Sequence, residues 1–175
     1  MFKKLLILFF AILTALLLAA LFRTFMHTAL QAKPAEGAVI LIDDIRAIEN
    51  LAESIKFKTI SYQEKEKFPK QEFDYFIKWA AKTYPEFHQV LTLEQLEHSL
   101  LFKWQGSDAT LSPILFEGHY DVVPIIPGTE DLWDEMPFSG TISNNRIWGR
   151  GALDDKSGVI GLMEAATYLI KNNFQ

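Results

Sequence analysis

The sequence predicts an α/β protein carried behind one long apolar helix. Two observations predict the mixed class: helical periods on either side of the chain's middle, and short apolar runs with turn residues between them. A third predicts the leading helix. Leu5–Phe22 is an unbroken apolar run whose only polar member is Thr14. At ~1.5 Å per residue that run spans roughly 27 Å, close to the hydrocarbon thickness of a bilayer. Lys3 and Lys4 precede it, while Arg23 and Lys33 follow, so the charge bias is nearly balanced and only the tight N-terminal pair favours a cytoplasmic start. The run is longer than a signal-peptide core, and no clean small-residue cleavage site follows it. A membrane anchor with the rest of the chain on the non-cytoplasmic side is expected, or secretion if the segment is cleaved.

The elements behind it follow in order. Residues 1–30 form the anchor or signal segment, and 31–38, rich in Pro, Ala and Gly, read as a linker to a domain over 39–175. From Val39 to about Ile55 the apolar residues Ile45, Ile48, Leu51, Ala52 and Ile55 recur at helical steps. Lys56–Ser61 breaks that period. A second helix is predicted from about Pro69 to Thr83, with Phe73, Phe76, Ile77, Ala80 and Ala81 on its core face. Thr92–Gln95 has the form of a capping box and predicts a short helical turn. Ser99–Trp104 and Ser112–Phe116 read as strands around the loop Gln105–Asp108. Gly140–Gly149 reads as a hairpin turning at Asn144-Asn145, and a third helix starts after Asp155. So few strands bury too little to stand alone, and the pattern reads as interrupted at Gln175.

Composition narrows the chemistry. The 175 residues include no cysteine, which excludes disulfides, thiolate metal sites and a cysteine nucleophile. A net charge of −5 argues against nucleic acid as a partner, which would call for a basic patch. Any metal must therefore be held by His, Asp or Glu, and there are four His: 27, 88, 98 and 119.

Two segments carry candidate chemistry. Gly118-His119-Tyr120-Asp121-Val122-Val123-Pro124 follows an apolar run, and ligand sites in α/β sheets lie beyond the carboxyl ends of strands. Imidazole suits zinc, and a carboxylate two residues on can accept the other ring N–H and fix the tautomer. Taken in isolation, a His-x-Asp is better explained by a His that is simply a satisfied polar residue at a strand end. The second segment, Gly149-Arg-Gly-Ala-Leu-Asp154-Asp155-Lys156-Ser-Gly158, runs into a helix. Its adjacent carboxylates can cap that helix, or one of them can bridge two cations about 3.5–4 Å apart.

In order and spacing, His119-x-Asp121-Val-Val-Pro, then Trp133 and Pro137-Phe138-x-Gly140, then Gly149-Arg-Gly-Ala-x-Asp154-Asp155-Lys156 resembles the aminoacylase and carboxypeptidase family of co-catalytic zinc hydrolases. Within it the chain is most similar to the branch of carboxypeptidase S and the secreted N-fatty-acyl-amino-acid hydrolases, from about Leu51 through Asn173. The resemblance implies the N-terminal part of a three-layer zinc-exopeptidase-like catalytic domain with two Zn²⁺ per complete site. It implies that His119 binds one zinc, Asp154 bridges both, and Asp121 orients His119 and supports catalysis. Asp155 is left to cap the helix, and Trp133, Pro137 and Phe138 to pack the intervening loop. The implied substrates are short peptides or N-acyl-amino acids. The general-base Glu, the remaining ligands and a lid domain that could form a homodimer are expected beyond Gln175, so that this stretch alone catalyses nothing. The competing expectation is a membrane-tethered binding module that keeps the fold without the catalysis.

Overall fold

Residues 2–27 and 43–174 are described by the computed structural model of this protein. The chain divides into two compact units, Met1–Ile40 and Leu41–Gln175. The first contains α1 (Phe2–Met26), 25 residues with a mean hydropathy of 3.0 across its most apolar stretch and none of that stretch buried. By length and composition it can cross a membrane. The predicted linker and the start of the predicted helix at Val39 lie outside the described residues.

The second unit opens with α2 (Asp44–Ile55), whose first turn is capped by the Asp43 carboxylate accepting from the Arg46 N–H at 3.1 Å. Its buried residues are Ala52, Ser54 and Ile55. Ile45 and Ile48, on the helical period of the apolar residues, are exposed, because the first half of the helix turns Arg46 and Asn50 inward to Glu164 instead. α3 (Lys70–Thr83) starts one residue after Pro69 and buries Phe73, Phe76 and Ala80, much as its period predicts. Pro85 then opens the short α4 (Pro85–Val90).

Two expectations fail in the next stretch. Thr92–Gln95 forms no helical turn. It lies in β1 (Thr92–Leu96), which pairs antiparallel with β2 (Ser99–Lys103) from Thr92↔Lys103 to Leu96↔Ser99. Five paired residues and a two-residue turn at Glu97-His98, where Glu97 takes φ 54°, outweigh a local capping signal. Ser112–Phe116 is no strand either. Ile114, Leu115 and Phe116 are exposed and unpaired among the described residues, while β2 pairs with β1.

The hairpin prediction holds throughout. β3 (Thr141–Ser143) pairs with β4 (Arg146–Trp148), and Asn144 and Asn145 both take positive φ, as a tight two-residue turn requires. Gly140 at its base has φ +60°, and a Cβ there would overlap the Ala52 carbonyl of α2. That close approach sets the hairpin against α2. α5 (Lys156–Lys171) then packs across α2 and α4.

The core joins Phe76, Ala80, Tyr84, Phe87 and Leu91 to Val159, Ile160 and Met163 of α5. Within it lies a buried polar group: Glu164 meets Arg46 at 3.1 Å, Asn50 at 2.7 Å and the Tyr84 hydroxyl at 2.8 Å. Helices and strands are thus mixed, as the α/β expectation has it. The described strands make two antiparallel pairs, with one parallel bridge between Ile60 and Val122.

Candidate metal centre

His119, Asp121 and Asp154 come together although His119 and Asp154 stand 35 positions apart in the sequence. Backbone pairing fixes the first motif. The Val122 N–H donates to the Thr59 carbonyl and the Ser61 N–H to the Val122 carbonyl, each at 2.9 Å. Thr59 Oγ1 donates to the Tyr120 carbonyl at 2.5 Å. The Tyr120 ring stacks on Phe76 with centroids 4.3 Å apart, and its hydroxyl donates to the His98 carbonyl. His119 and Asp121, flanking an anchored Tyr120, are left facing outward.

The second motif is fixed by Lys156, which is wholly buried. Its Nζ donates to the carbonyls of Ser54 at 2.7 Å and Phe57 at 2.8 Å and lies 5.6 Å from the Phe76 ring centre. A cation placed on the last carbonyls of α2 also complements that helix's dipole. Burial pulls the ammonium down to about 7, with the charge of Glu72 opposing.

Between these anchors, His119 Nε2 lies 2.9 Å from Asp154 Oδ1. Nδ1 lies 3.2 Å from Asp121 Oδ1 and 3.1 Å from the Asp121 carbonyl oxygen. One ring nitrogen is thus held by its own segment, and the other points at the second motif. Partial burial pulls the His119 pKa down, but the Asp121 carbonyl, the Asp154 hydrogen bond and both carboxylate charges outweigh it, and the net shift is upward. An imidazole nitrogen and a carboxylate oxygen converging at this distance, with a carboxylate behind the ring, suit a zinc ion in donor chemistry. They supply two donors. Among the described residues no group of three or more His, Cys, Asp or Glu is placed to hold a metal.

Asp155 departs from expectation. It occupies the N-cap position of α5, but its side chain makes no capping bond. Its carboxylate instead accepts weakly from the His119 N–H at 3.4 Å, against Gly118 and Gly158, where a side chain at Gly158 would displace it. Asp155 therefore links the two motifs. The Asp-Asp-Lys string contained both this residue and Lys156, but nothing local distinguishes a cap from a cross-link, or an exposed lysine from a buried one.

The donors line a cavity of about 280 Å³ with Val122, Arg150 and Leu153. A neighbouring cavity of about 430 Å³, walled by Leu132, Trp133, Ile147 and Trp148, shares Gly149 and Leu153 with it. The intervening loop packs as expected. Pro137 is buried and its carbonyl accepts from the Arg150 N–H at 2.6 Å, while Trp133 lies under the Arg150 guanidinium at 5.1 Å.

Both motifs fall in a stretch that is similar to known proteins. Residues 115–175, which hold both motifs, match the model of Peptidase family M20/M25/M40, the resemblance that the motifs implied. Among individual relatives, Probable carboxypeptidase S-like 2 of Dictyostelium discoideum is 38% identical over 137 residues, 77% of this chain and 26% of that protein. Carboxypeptidase S of Saccharomyces cerevisiae is 34% identical over 74% of this chain and 24% of its own length. N-fatty-acyl-amino acid synthase/hydrolase PM20D1 of Xenopus tropicalis is 36% identical over 71% and 24%. The chain spans about a quarter of the length of these relatives. In fold it is similar to human carnosine dipeptidase 1, with a TM-score of 0.56 and 24% identity over 75% of this chain and 29% of that one.

Proposed function

We propose that this sequence forms part of a zinc-dependent hydrolase that cleaves the amide bond of short peptides or N-acyl-amino acids. The observation that carries the reading is the approach of His119 Nε2 to Asp154 Oδ1 at 2.9 Å, with Nδ1 held by Asp121. The activities for which the similar proteins are named, carboxypeptidase and N-fatty-acyl-amino acid synthase/hydrolase, support the same class.

In this reading His119 is a terminal zinc ligand and Asp154 the carboxylate shared between two ions. Asp121 keeps the His119 ring in the tautomer whose Nε2 lone pair is free, and so has a supporting catalytic role. Bound zinc would lower the pKa of a coordinated water and polarise the scissile carbonyl. The remaining donors and the general base come from outside residues 1–175, in a three-layer domain whose lid could pair two copies. Residues 1–30 anchor the protein in a membrane or direct its secretion, 31–38 form the linker, and 39–175 contribute to the catalytic domain.

The test is zinc titration of the 175-residue chain in detergent micelles. Two donors give weak binding, and His119→Ala should weaken it at least ~10-fold, with Asp121→Asn intermediate. Equal zinc binding by the wild type and His119→Ala would leave a membrane-tethered binding module as the better reading. Amide turnover by this chain alone, free of host hydrolases, would refute the placing of the general base elsewhere.

A further inference from the structure

His98 lies outside the candidate metal centre, but a short chain of contacts joins it to the first motif. It occupies the second position of the two-residue turn between β1 and β2. Its side chain is largely buried, at 18% exposure, with the ring edge-on to Phe68 and Phe73 at centroid distances of 5.2 and 5.4 Å. Nε2 lies 3.3 Å from Asp74 Oδ1, so a side chain of α3 holds the turn. That nitrogen can donate to a carboxylate in the neutral ring as well as in the imidazolium. The His98 carbonyl accepts from the Tyr120 hydroxyl. Tyr120 stands between His119 and Asp121 and packs on Phe73 and Phe76 of the same helix. The contacts thus run from Asp74 to His98 to Tyr120 and end between the two residues of the first motif.

We propose that His98 is a positioning residue for the metal centre: its ring, docked on Asp74, holds the turn carbonyl that fixes the Tyr120 hydroxyl, and so sets where His119 and Asp121 stand. This rests on reading His119 and Asp154 as the metal donors. A binding constellation must be held to within about 0.5 Å of its working geometry, so the groups that support the donors are felt in affinity. Backbone bonds to Thr59 and Ser61 hold the main chain of this segment, and the hydroxyl bond holds its side chain. A shift of the turn would tilt Tyr120 and carry its two neighbours with it. Neither bond to His98 involves a zinc donor, so the residue acts through Tyr120. A His98 that served the hairpin alone would change stability and leave the zinc affinity of the folded chain where it was.

The test is calorimetric zinc titration of the full chain in micelles, on samples shown to be folded by circular dichroism. His98→Leu should weaken zinc binding roughly 3–10-fold, and Asp74→Ala, which removes the other half of the pair, should do the same. His98→Gln, whose amide N–H can still donate to Asp74, should recover most of the loss. Tyr120→Phe deletes the link, and in that background His98→Leu should have no further effect on zinc. Unchanged zinc affinity in His98→Leu, a loss that persists in full behind Tyr120→Phe, or no recovery in His98→Gln would each overturn the assignment. If His98→Leu does not fold, Asp74→Ala with and without Tyr120→Phe decides it. His119→Ala separates the two readings. Zinc binding that needs His119 but ignores His98 removes the positioning role alone. Zinc binding that ignores His119 removes the metal centre, and the role of His98 with it.

Discussion

Replacing Lys156 by Met tests how the second motif is held. The native ammonium is fully buried, and burial lowers its pKa to about 7 from 10.5. Between those values the unfolded chain binds the proton that the folded chain has released, so folding stability rises with pH. The slope approaches about 1.4 kcal/mol per pH unit within the window. Below the window the lysine is charged in both states, and the folded state bears the full cost of burying it. Met keeps the length of the side chain and removes the titration. It also leaves neither carbonyl without a partner, since Ser54 O still accepts from Phe57 N at 3.4 Å and Phe57 O from Thr59 N at 2.9 Å. From pH 7.5 to 9.5 the wild type should therefore gain roughly 2–3 kcal/mol on Lys156→Met. Urea unfolding followed by circular dichroism at the two pH values measures this. A difference that does not change with pH would refute the reasoning, because the two carbonyls and the Phe76 ring would then be holding the ammonium charged despite its burial.

Three further outcomes are expected. Gly140→Ala places a methyl group against the Ala52 carbonyl at φ +60° and should cost about 2–3 kcal/mol in urea unfolding. Glu164→Ala removes the shared partner of Arg46, Asn50 and Tyr84 and leaves the buried Tyr84 hydroxyl without its acceptor; a loss of roughly 1–3 kcal/mol is expected by the same measurement. Zinc affinity should rise as pH increases through the elevated His119 pKa, above the ordinary value of 6.5, because the ring must lose its proton to serve as a ligand. In the metal-free chain the sign reverses: the raised pKa stabilises the fold at low pH, and that contribution fades as pH climbs past it, which thermal unfolding across pH 6 to 8 would follow.

Much of the site was legible because its chemistry is local. His-x-Asp and Gly-Arg-Gly-Ala-x-Asp-Asp-Lys each occupy a few consecutive residues, and their order and spacing carried the family resemblance that the match over residues 115–175 upholds. The hairpin at Asn144-Asn145 and the α3 stripe of Phe73, Phe76 and Ala80 were legible for the same reason, since turn chemistry and a 3.6-residue period are written in neighbouring side chains. What the sequence left open depended on competition between distant segments. Thr92–Gln95 satisfies a helix cap and a strand equally well, and only pairing with Ser99–Lys103 decides between them. Asp155 reads as a helix cap until the fold brings the His119 N–H to its carboxylate. Nothing beside Lys156 in the sequence marks it as buried; the carbonyls of Ser54 and Phe57 and the ring of Phe76 close around it only in the fold. The sequence by itself determined which residues could carry the chemistry. The tertiary structure decided which atoms meet, because a hydrogen bond between residues 119 and 154 depends on the packing of every element between them.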